Sequence, residues 1–360
     1  MRATVSMFLM VCLAGTASTA AQAAEVTARL DLEVYGRMDL AITDSDAGLA
    51  THNGVAGVSL ENNFSLIGVR GGEAIGGGWE FFFQVELGVE GADDDNGREP
   101  FGTRPTFIGL AGPLGRVQAG KMDPVLKTTK GFADAFDNYS TKHDRLLAGE
   151  IPHGDSVEYW TPVWNGLSAG GTLLLEDEYY AGDEARQDRG NYQVSLRYGD
   201  RTLRDGPLYL GIAYGDGIED IEAVRVVGQY RLGPWKIGGM YQDTRRVAPD
   251  APDDAIAGDR RDGRGWLVSV IHERGPWRLK VQGGRDDSGN GFIARRLYGR
   301  VADGEAALDG VPEITALAAG FEYYFVPRLR LHGEWGRWDI DNVRELDSET
   351  VVSMALRYEY

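Results

Sequence analysis

The stretch Trp79-Glu80-Phe81-Phe82-Phe83-Gln84-Val85-Glu86-Leu87-Gly88-Val89-Glu90 decides the fold, because apolar and polar side chains alternate along most of it. Successive side chains of a β-strand point to opposite faces of the sheet. One face of this strand is therefore apolar and includes Trp79 and Val85, whereas the other carries polar groups such as Gln84 and Glu86. A face this rich in carboxylates is out of place in a packed core, but it suits a wall that borders water.

The same two-residue period recurs through the rest of the chain. The predicted strands span residues 28–43, 56–71, 78–90, 103–111, 115–121, 154–162, 167–178, 191–200, 207–215, 221–232, 235–244, 264–273, 277–286, 314–325, 328–339 and 350–360. An even number of strands brings both termini of a closed barrel to the same rim. The segment 292–301 can be read either as an extra strand or as part of a long loop, so the count can shift by about two.

Short turns alternate with long, mostly acidic connections. Four Gly-Pro turns each separate two alternating runs, at Gly112-Pro113, Gly206-Pro207, Gly233-Pro234 and Gly275-Pro276. Proline lacks an N–H and suits turns or strand starts. The long connections are 91–102, 179–190, 245–263 and 287–313. Short turns at one rim and long loops at the other are typical of outer-membrane barrels, so the sequence predicts an all-β fold, a transmembrane antiparallel β-barrel of about 16 strands.

The beginning of the chain has the features of an export signal. Arg2 is the basic start, residues 5–14 are apolar, and Ala21-Gln22-Ala23 is a small-residue cleavage site. We therefore expect residues 1–23 to be a cleaved signal peptide and residues 24–360 to form a single barrel domain. No later stretch offers 18 consecutive apolar residues, which argues against helical membrane spans.

Composition argues against several classes of function. The net charge is −18, so no basic surface is expected to bind nucleic acid. The only cysteine, Cys12, lies in the predicted signal, which leaves no disulfide for the mature chain. Gly-x-Ser-x-Gly, His-Glu-x-x-His and Walker motifs are absent from the sequence, and the five histidines have no metal-ligand spacing. No enzymatic activity is expected. Two alternatives stay open: a barrel hydrolase using His and Ser, since triads are defined by geometry, and an adhesive or structural barrel with a plugged lumen.

Residues 122–153 interrupt the two-residue period for about thirty residues, and connections of this length in compact folds are usually functional. We predict that this segment folds into the lumen and acts as a constriction loop. The alternative is a mobile surface loop.

Several stretches resemble the Gram-negative general diffusion porins. They are Leu32-Glu33-Val34-Tyr35-Gly36-Arg37-Met38-Asp39, Ile67-Gly68-Val69-Arg70-Gly71-Gly72-Glu73, Phe83-Gln84-Val85-Glu86, Phe107-Ile108-Gly109-Leu110, Leu114-Gly115-Arg116-Val117-Gln118-Ala119-Gly120-Lys121 and the aromatic last residue Tyr360. The resemblance implies a homotrimer of sixteen-stranded barrels in the bacterial outer membrane, each with its third extracellular loop folded inward. It also implies subunit contacts through the first strands and the loop 91–102.

The resemblance further implies a narrow site where loop carboxylates face basic residues of the wall. By position, the loop candidates are Asp123, Asp134, Asp137, Asp144 and Glu150, and the matching basic wall positions are Arg37 and Arg104. Alternation adds Arg278, Lys280, Arg328 and Arg330 to the wall. For each aspartate the alternative is a solvated loop carboxylate. Leu66 stands where some relatives have a basic wall residue, and the loop lacks the family's Pro-Glu-Phe-Gly stretch, so membership of the narrow site stays open.

Opposed rows of charge across a pore create a transverse field that favours polar over apolar solutes. The expected function is passive diffusion of small hydrophilic solutes and ions, with a weak cation preference that follows from the acidic balance. A substrate-specific channel is the alternative. Outer-membrane lipid and lipopolysaccharide are expected partners, and no cofactor is expected. Weak Ca²⁺ candidates, without full EF-hand spacing, are Asp44, Asp46, Asp93 and Asp95.

Overall fold

The computed structural model of the protein describes residues 31–92, 99–175, 190–247 and 261–360. The predicted signal peptide, together with Asp93 and Asp95, lies outside these residues. The strands are β1 Asp31–Ser45, β2 Gly57–Asn62, β3 Leu66–Gly76, β4 Trp79–Val89, β5 Phe101–Gly112, β6 Gly115–Met122, β7 His153–Trp160, β8 Leu167–Leu174, β9 Tyr192–Gly199, β10 Leu208–Asp216, β11 Ile221–Leu232, β12 Trp235–Arg246, β13 Asp262–Arg274, β14 Trp277–Asp286, β15 Ala307–Val326, β16 Leu329–Arg344 and β17 Ser348–Glu359. The helices are α1 Val125–Thr129 and α2 Phe292–Ala302, with short 3-10 turns at His143–Arg145 and Ile218–Asp220.

These strands form one closed antiparallel sheet in chain order. β1 pairs with β17 at the closure, where Arg37 lies opposite Glu359 and Ser45 opposite Val351. β2 and β3 pair with successive halves of β1 and together occupy one position, so the seventeen segments make a sixteen-stranded barrel within the described residues. The predicted barrel is confirmed, and its strand count is correct.

The interruption between β2 and β3 has a local cause. Phe64 adopts a left-handed φ of 59°, which turns its carbonyl out of the ladder. The Arg37 guanidinium donates two hydrogen bonds to this carbonyl, at 3.0 and 2.6 Å. The Asn62 side chain accepts the Ser65 N–H at 2.9 Å, and the Ser65 hydroxyl accepts the Asp39 N–H at 3.0 Å. Side chains therefore replace the missing backbone pairs, and the strand resumes in register.

The two faces of the wall have opposite polarity, with the apolar face outside. On β14, Leu279 and Val281 are 49% and 51% exposed. The residues that alternate with them, Lys280 and Gln282, are only 5% and 4% exposed. A soluble protein buries the opposite set. This arrangement is the one that hydrocarbon outside and polar contacts inside require. None of the helices in the described part of the chain is long and apolar enough to cross a membrane.

The connection between β14 and β15 contains α2, so residues 292–301 are not an extra strand but part of the long connection, and within it they form a helix. Ile293, Ala294, Leu297 and Tyr298 repeat at the helical spacing, and all four are at most 5% exposed. They join an apolar core inside one half of the barrel mouth, which also includes Leu49, Ala50, Leu146, Leu147, Ile314 and Trp338. Two-residue alternation does not describe this segment, because its period is that of a helix.

Candidate functional site

The segment 123–152, between β6 and β7, lies against the inner, polar face of the wall. Its backbone N–H groups donate to wall side chains: Leu126 to Gln193 at 2.9 Å, Phe132 to Gln229 at 3.0 Å, and Ala135 to Gln282 at 2.8 Å. The backbone N–H groups of Ser140 and Thr141 donate to the Glu334 carboxylate at 2.9 and 3.1 Å. A segment without a strand or helix period must satisfy its backbone groups elsewhere. The inward amides and carboxylates of the strands satisfy them here.

A buried charge cluster joins the two ends of this segment. His143 Nδ1 lies 2.8 Å from Asp134 Oδ2, and His143 Nε2 lies 2.9 Å from Glu150 Oε1. Arg225 on β11 reaches the same Glu150 oxygen at 2.7 Å, and Lys130 Nζ lies 3.0 Å from Glu150 Oε2. A carboxylate that meets three basic groups compensates for the desolvation of all of them, which a single pair does not achieve.

Charge pairing governs the ionisation of this cluster. Burial alone would lower the pKa of His143, but the carboxylates of Glu150 and Asp134 outweigh it and raise that pKa. Burial alone would raise the pKa of Glu150, but His143, Lys130 and Arg225 hold it well below its usual range. The pKa of Lys130 is raised well above its usual value, because Asp137 and Glu150 outweigh the effect of burial. The pairing therefore favours the charged forms of His143, Glu150 and Lys130.

The remaining predicted loop carboxylates also pair with cations of the same segment. Asp123 lies 2.9 Å from Lys127, one helical turn away. Asp137 lies 3.0 Å from Lys130. Asp144 contacts Lys142 at 2.6 Å and Arg145 at 2.8 Å, and these two cations outweigh burial and lower the pKa of Asp144. The segment thus neutralises much of its own negative charge.

A cavity of about 580 Å³ separates this segment from the wall formed by β5 and β6 and from the turn after β9. Its charged lining is mixed in sign. The basic members are Arg104, Lys121, Lys127, Lys130, Lys142 and Arg201, and the acidic members are Glu90, Asp123, Asp137 and Glu150. Basic groups thus outnumber acidic groups around this space.

The predicted basic wall residues fall into separate groups. Arg104 lines the cavity and bonds Glu86, and the buried Arg37 holds the Phe64 carbonyl. Three others converge on the carboxylate of Glu322: Arg278, Lys280 and Arg330. This carboxylate also accepts a hydrogen bond at 2.9 Å from the hydroxyl of Tyr139 in the loop. Arg328 is exposed in the turn before β16.

Sequence reasoning missed several residues that organise the site. Arg225 is fully buried and bonds Glu150, Gln242 and the carbonyls of Leu126 and Ala148. A single arginine among apolar neighbours on the inward side of β11 was an available signal. His143 and the three cavity lysines of the loop lie in a stretch where only carboxylates were considered.

The calcium candidates in the described residues do not form a cluster. Asp44 is exposed at the end of β1, and Asp46 follows the strand. Among the residues that the structure describes, no group of three or more His, Cys, Asp or Glu side chains has the arrangement of a metal site. Calcium binding stays a prediction.

Comparisons with known proteins agree with this architecture. A family model described as "Gram-negative porin" matches residues 9–342. The major outer membrane protein P.IB of Neisseria sicca is 27% identical over 278 residues, which cover 66% of this chain and 76% of that protein. An anion-selective porin from Comamonas acidovorans superposes with a TM-score of 0.65 at 17% identity and covers 92% of this chain and 100% of that one. The trimer form of OmpT from Vibrio cholerae gives a TM-score of 0.64 at 12% identity, with 92% and 99% covered.

Proposed function

Because the chain belongs to the family of Gram-negative porins, and is an outer-membrane barrel, we propose that it forms a water-filled channel for passive diffusion of small hydrophilic solutes and ions. The observation that supports this most is the cavity of about 580 Å³ with charged groups of both signs in its lining. A space lined in this way lowers the cost of moving a hydrated solute through a barrel and offers an apolar solute little.

Within this proposal, residues 122–153 form the constriction loop. Arg104, Asp123, Asp137 and Glu150 face the passing solute, together with the loop lysines. Asp134 and Asp144 have a different task, because their contacts with His143 and Arg145 hold the loop in shape. Arg278, Lys280 and Arg330 anchor Tyr139 of the loop through Glu322.

Two arguments about ion preference have opposite signs. The net charge of −18 favours cations, whereas the cavity lining favours anions, with six basic groups against four acidic ones. Salt screens charges beyond about 8 Å at physiological ionic strength, so groups at the narrow site outweigh acidic loops at the rim. We therefore propose a weak anion preference in place of the weak cation preference. The Comamonas acidovorans porin, similar in fold, is itself described as anion-selective.

The proposed assembly is a homotrimer in contact with lipid and lipopolysaccharide, delivered by the cleaved signal of residues 1–23. A fold neighbour from Vibrio cholerae is described as a trimer form. Divalent ions at Asp44 and Asp46 would bridge the rim to lipopolysaccharide phosphates, and Asp93 and Asp95, which lie outside the described residues, stay calcium candidates by sequence alone.

Planar-bilayer recording of the refolded protein tests the channel. Stepwise conductance increments support the channel. A reversal potential in a KCl gradient whose sign shows that Cl⁻ is more permeant than K⁺ supports the anion preference. A reversal potential of the opposite sign, which shows that K⁺ is more permeant, overturns the anion preference but not the channel. Absence of steps overturns the channel and favours a plugged barrel, and absence of steps with ester hydrolysis favours the hydrolase.

A cysteine experiment tests the constriction. Residues 24–360 contain no cysteine, so a single one can be introduced cleanly. Phe132 is 43% exposed and lines the cavity, whereas Leu114 is 71% exposed in the turn between β5 and β6. A charged thiol reagent should reduce single-channel current in Phe132→Cys and leave Leu114→Cys unchanged. Equal currents in the two labelled variants would place the narrow site elsewhere.

A further inference from the structure

A second cleft, of about 710 Å³, opens on the inner wall next to the short turns. It lies across β4, β5 and β6, where Glu80 is in register with Ala111, and Ala111 with Arg116. These three residues share the inward face, because the alternate positions Val85, Ile108 and Val117 are exposed on the outside. Two strand spacings separate the backbones of Glu80 and Arg116, about 10 Å. The small Ala111 side chain lies between them in the register, and the Glu80 carboxylate leans toward Gly72 of β3.

Within the described residues, neither of these charges is neutralised by an ion pair. The Arg116 guanidinium stacks on the Phe82 ring at 3.8 Å and donates to Gln118 Oε1 at 3.1 and 2.9 Å, and no carboxylate lies within ion-pair distance in this part of the chain. Glu80 likewise has no cation within that distance among the residues described. The nearby Arg70, by contrast, holds Glu33 at 2.8 Å. Glu80 and Arg116 therefore remain free to contact a solute.

Aromatic rings line the cleft beside the two charged groups. Phe82 and Phe107 both line it, with ring centroids 6.3 Å apart and planes inclined by 72°. The Phe82 ring lies across Gly109, where any Cβ would approach the ring to 2.2 Å. Glycine at this position thus lets the ring lie against the wall and beneath Arg116. The edge of the Phe82 ring and the Phe107 ring are then available beside Glu80 and Arg116.

We propose that this cleft is a subsite for a dipolar aromatic solute, an aromatic α-amino acid, whose carboxylate binds Arg116, whose ammonium binds Glu80 and whose ring packs on Phe107 and against the edge of Phe82. A simple anion would meet repulsion from Glu80, and a simple cation would meet repulsion from Arg116. A solute that carries both charges a few ångströms apart can pair with both groups. The volume lies within the range of small-molecule sites. This inference rests on the proposed function to the extent that the solute reaches the cleft through the channel.

Direct titration of the refolded barrel in detergent with L-phenylalanine tests the subsite without requiring conductance. Saturable binding is expected by calorimetry. Three analogues each remove one recognition element: 3-phenylpropanoate lacks the ammonium, phenethylamine the carboxylate, and glycine the ring. Each should bind about two- to five-fold more weakly, the size expected for loss of a solvent-exposed ion pair or ring contact. Equal binding of L-phenylalanine and all three analogues would overturn the proposal.

Variants of the two charged residues give an independent check. Glu80→Gln and Arg116→Gln should each weaken L-phenylalanine binding about two- to five-fold, and the exchanged pair Glu80→Arg with Arg116→Glu should regain most of it. The matched control is Arg285→Gln, since Arg285 is exposed at the far end of β14 and pairs with Glu313. Unchanged binding in Glu80→Gln, or an equal loss in the control, would overturn the subsite. Conductance of the same samples separates the two hypotheses: steps without binding contradict only the subsite, and binding without steps contradicts only the channel.

Discussion

His143 Nδ1 lies 2.8 Å from Asp134 Oδ2, and both side chains are completely shielded from solvent. This contact, together with Glu150 on the other imidazole nitrogen, makes one doubly paired histidine the centre of the inward segment. A charged imidazole donates from both nitrogens, whereas a neutral one donates from a single nitrogen. The conformation of the loop therefore depends on whether the His143 imidazole carries its second proton.

That linkage predicts a loss of stability as pH rises. The pKa of His143 is raised in the folded protein, so its contribution is fully present below about 6.5, the ordinary value, and disappears as pH rises through the folded value. Thermal unfolding in detergent between pH 5 and 9 should show the wild type losing stability on the alkaline side. His143→Gln should have a flatter profile over that range. Parallel profiles for the two proteins would show that the imidazole stays neutral.

Removing the Arg225 guanidinium should release the loop. The Arg225→Met variant keeps the volume but leaves the Leu126 carbonyl without its arginine donor, the Ala148 carbonyl with Gln242 as its remaining donor, and Glu150 with one cation fewer. Breaking a buried pair of this kind costs about 3–5 kcal/mol. We expect lower unfolding temperature and noisier single-channel current. Arg225→Lys is the control for charge, and because a lysine cannot form the same fork of hydrogen bonds, it should recover only part of the loss.

A charge reversal at Lys127 should change selectivity with little effect on folding. Its ammonium lines the cavity and pairs with Asp123 at 2.9 Å in a partly exposed position. Such pairs contribute about 0–1 kcal/mol, so Lys127→Glu should fold normally. The reversal potential in a KCl gradient should move toward cations. Arg337→Glu makes the same charge change beside Asp339, away from the cavity, and should leave the potential unchanged. An equal shift in both variants would indicate a general surface effect.

Arg296 should fasten α2 to the mouth of the barrel. Its guanidinium donates to the carbonyls of Thr51 at 2.7 Å and His52 at 3.1 Å, and also to Gly48 and Leu49. Unsatisfied buried acceptors cost about 1–3 kcal/mol, so Arg296→Ala should open this region locally. Hydrogen exchange of residues 292–302 should accelerate while the strands stay protected. Arg300→Ala, which loses an exposed pair with Glu305 and a single hydrogen bond to the Ala47 carbonyl at 3.3 Å, should have a smaller effect.

The candidate site was predictable only in part, and particular residues show where the limit lies. Alternation predicts Lys280 and Arg330 on the inner wall, because a strand has a fixed period of two. It did not reveal that both meet Glu322, since the depth of a residue along the barrel depends on strand stagger. The carboxylates of the loop were found as a group, but their lysine and histidine partners were not. Contacts within an irregular segment follow no period.

The sequence by itself determined the barrel, because two-residue alternation is a local property and each strand exposes its apolar side regardless of its neighbours. It also determined the inward position of most wall side chains. Only the tertiary structure decided that the apolar face of α2 packs inside the mouth, that His143 joins Asp134 to Glu150, and that Glu80 and Arg116 line one cleft. These relationships join residues that lie on different strands or on opposite ends of a loop. Closure of the barrel brings these residues together, and no local sequence pattern specifies which distant residues will meet.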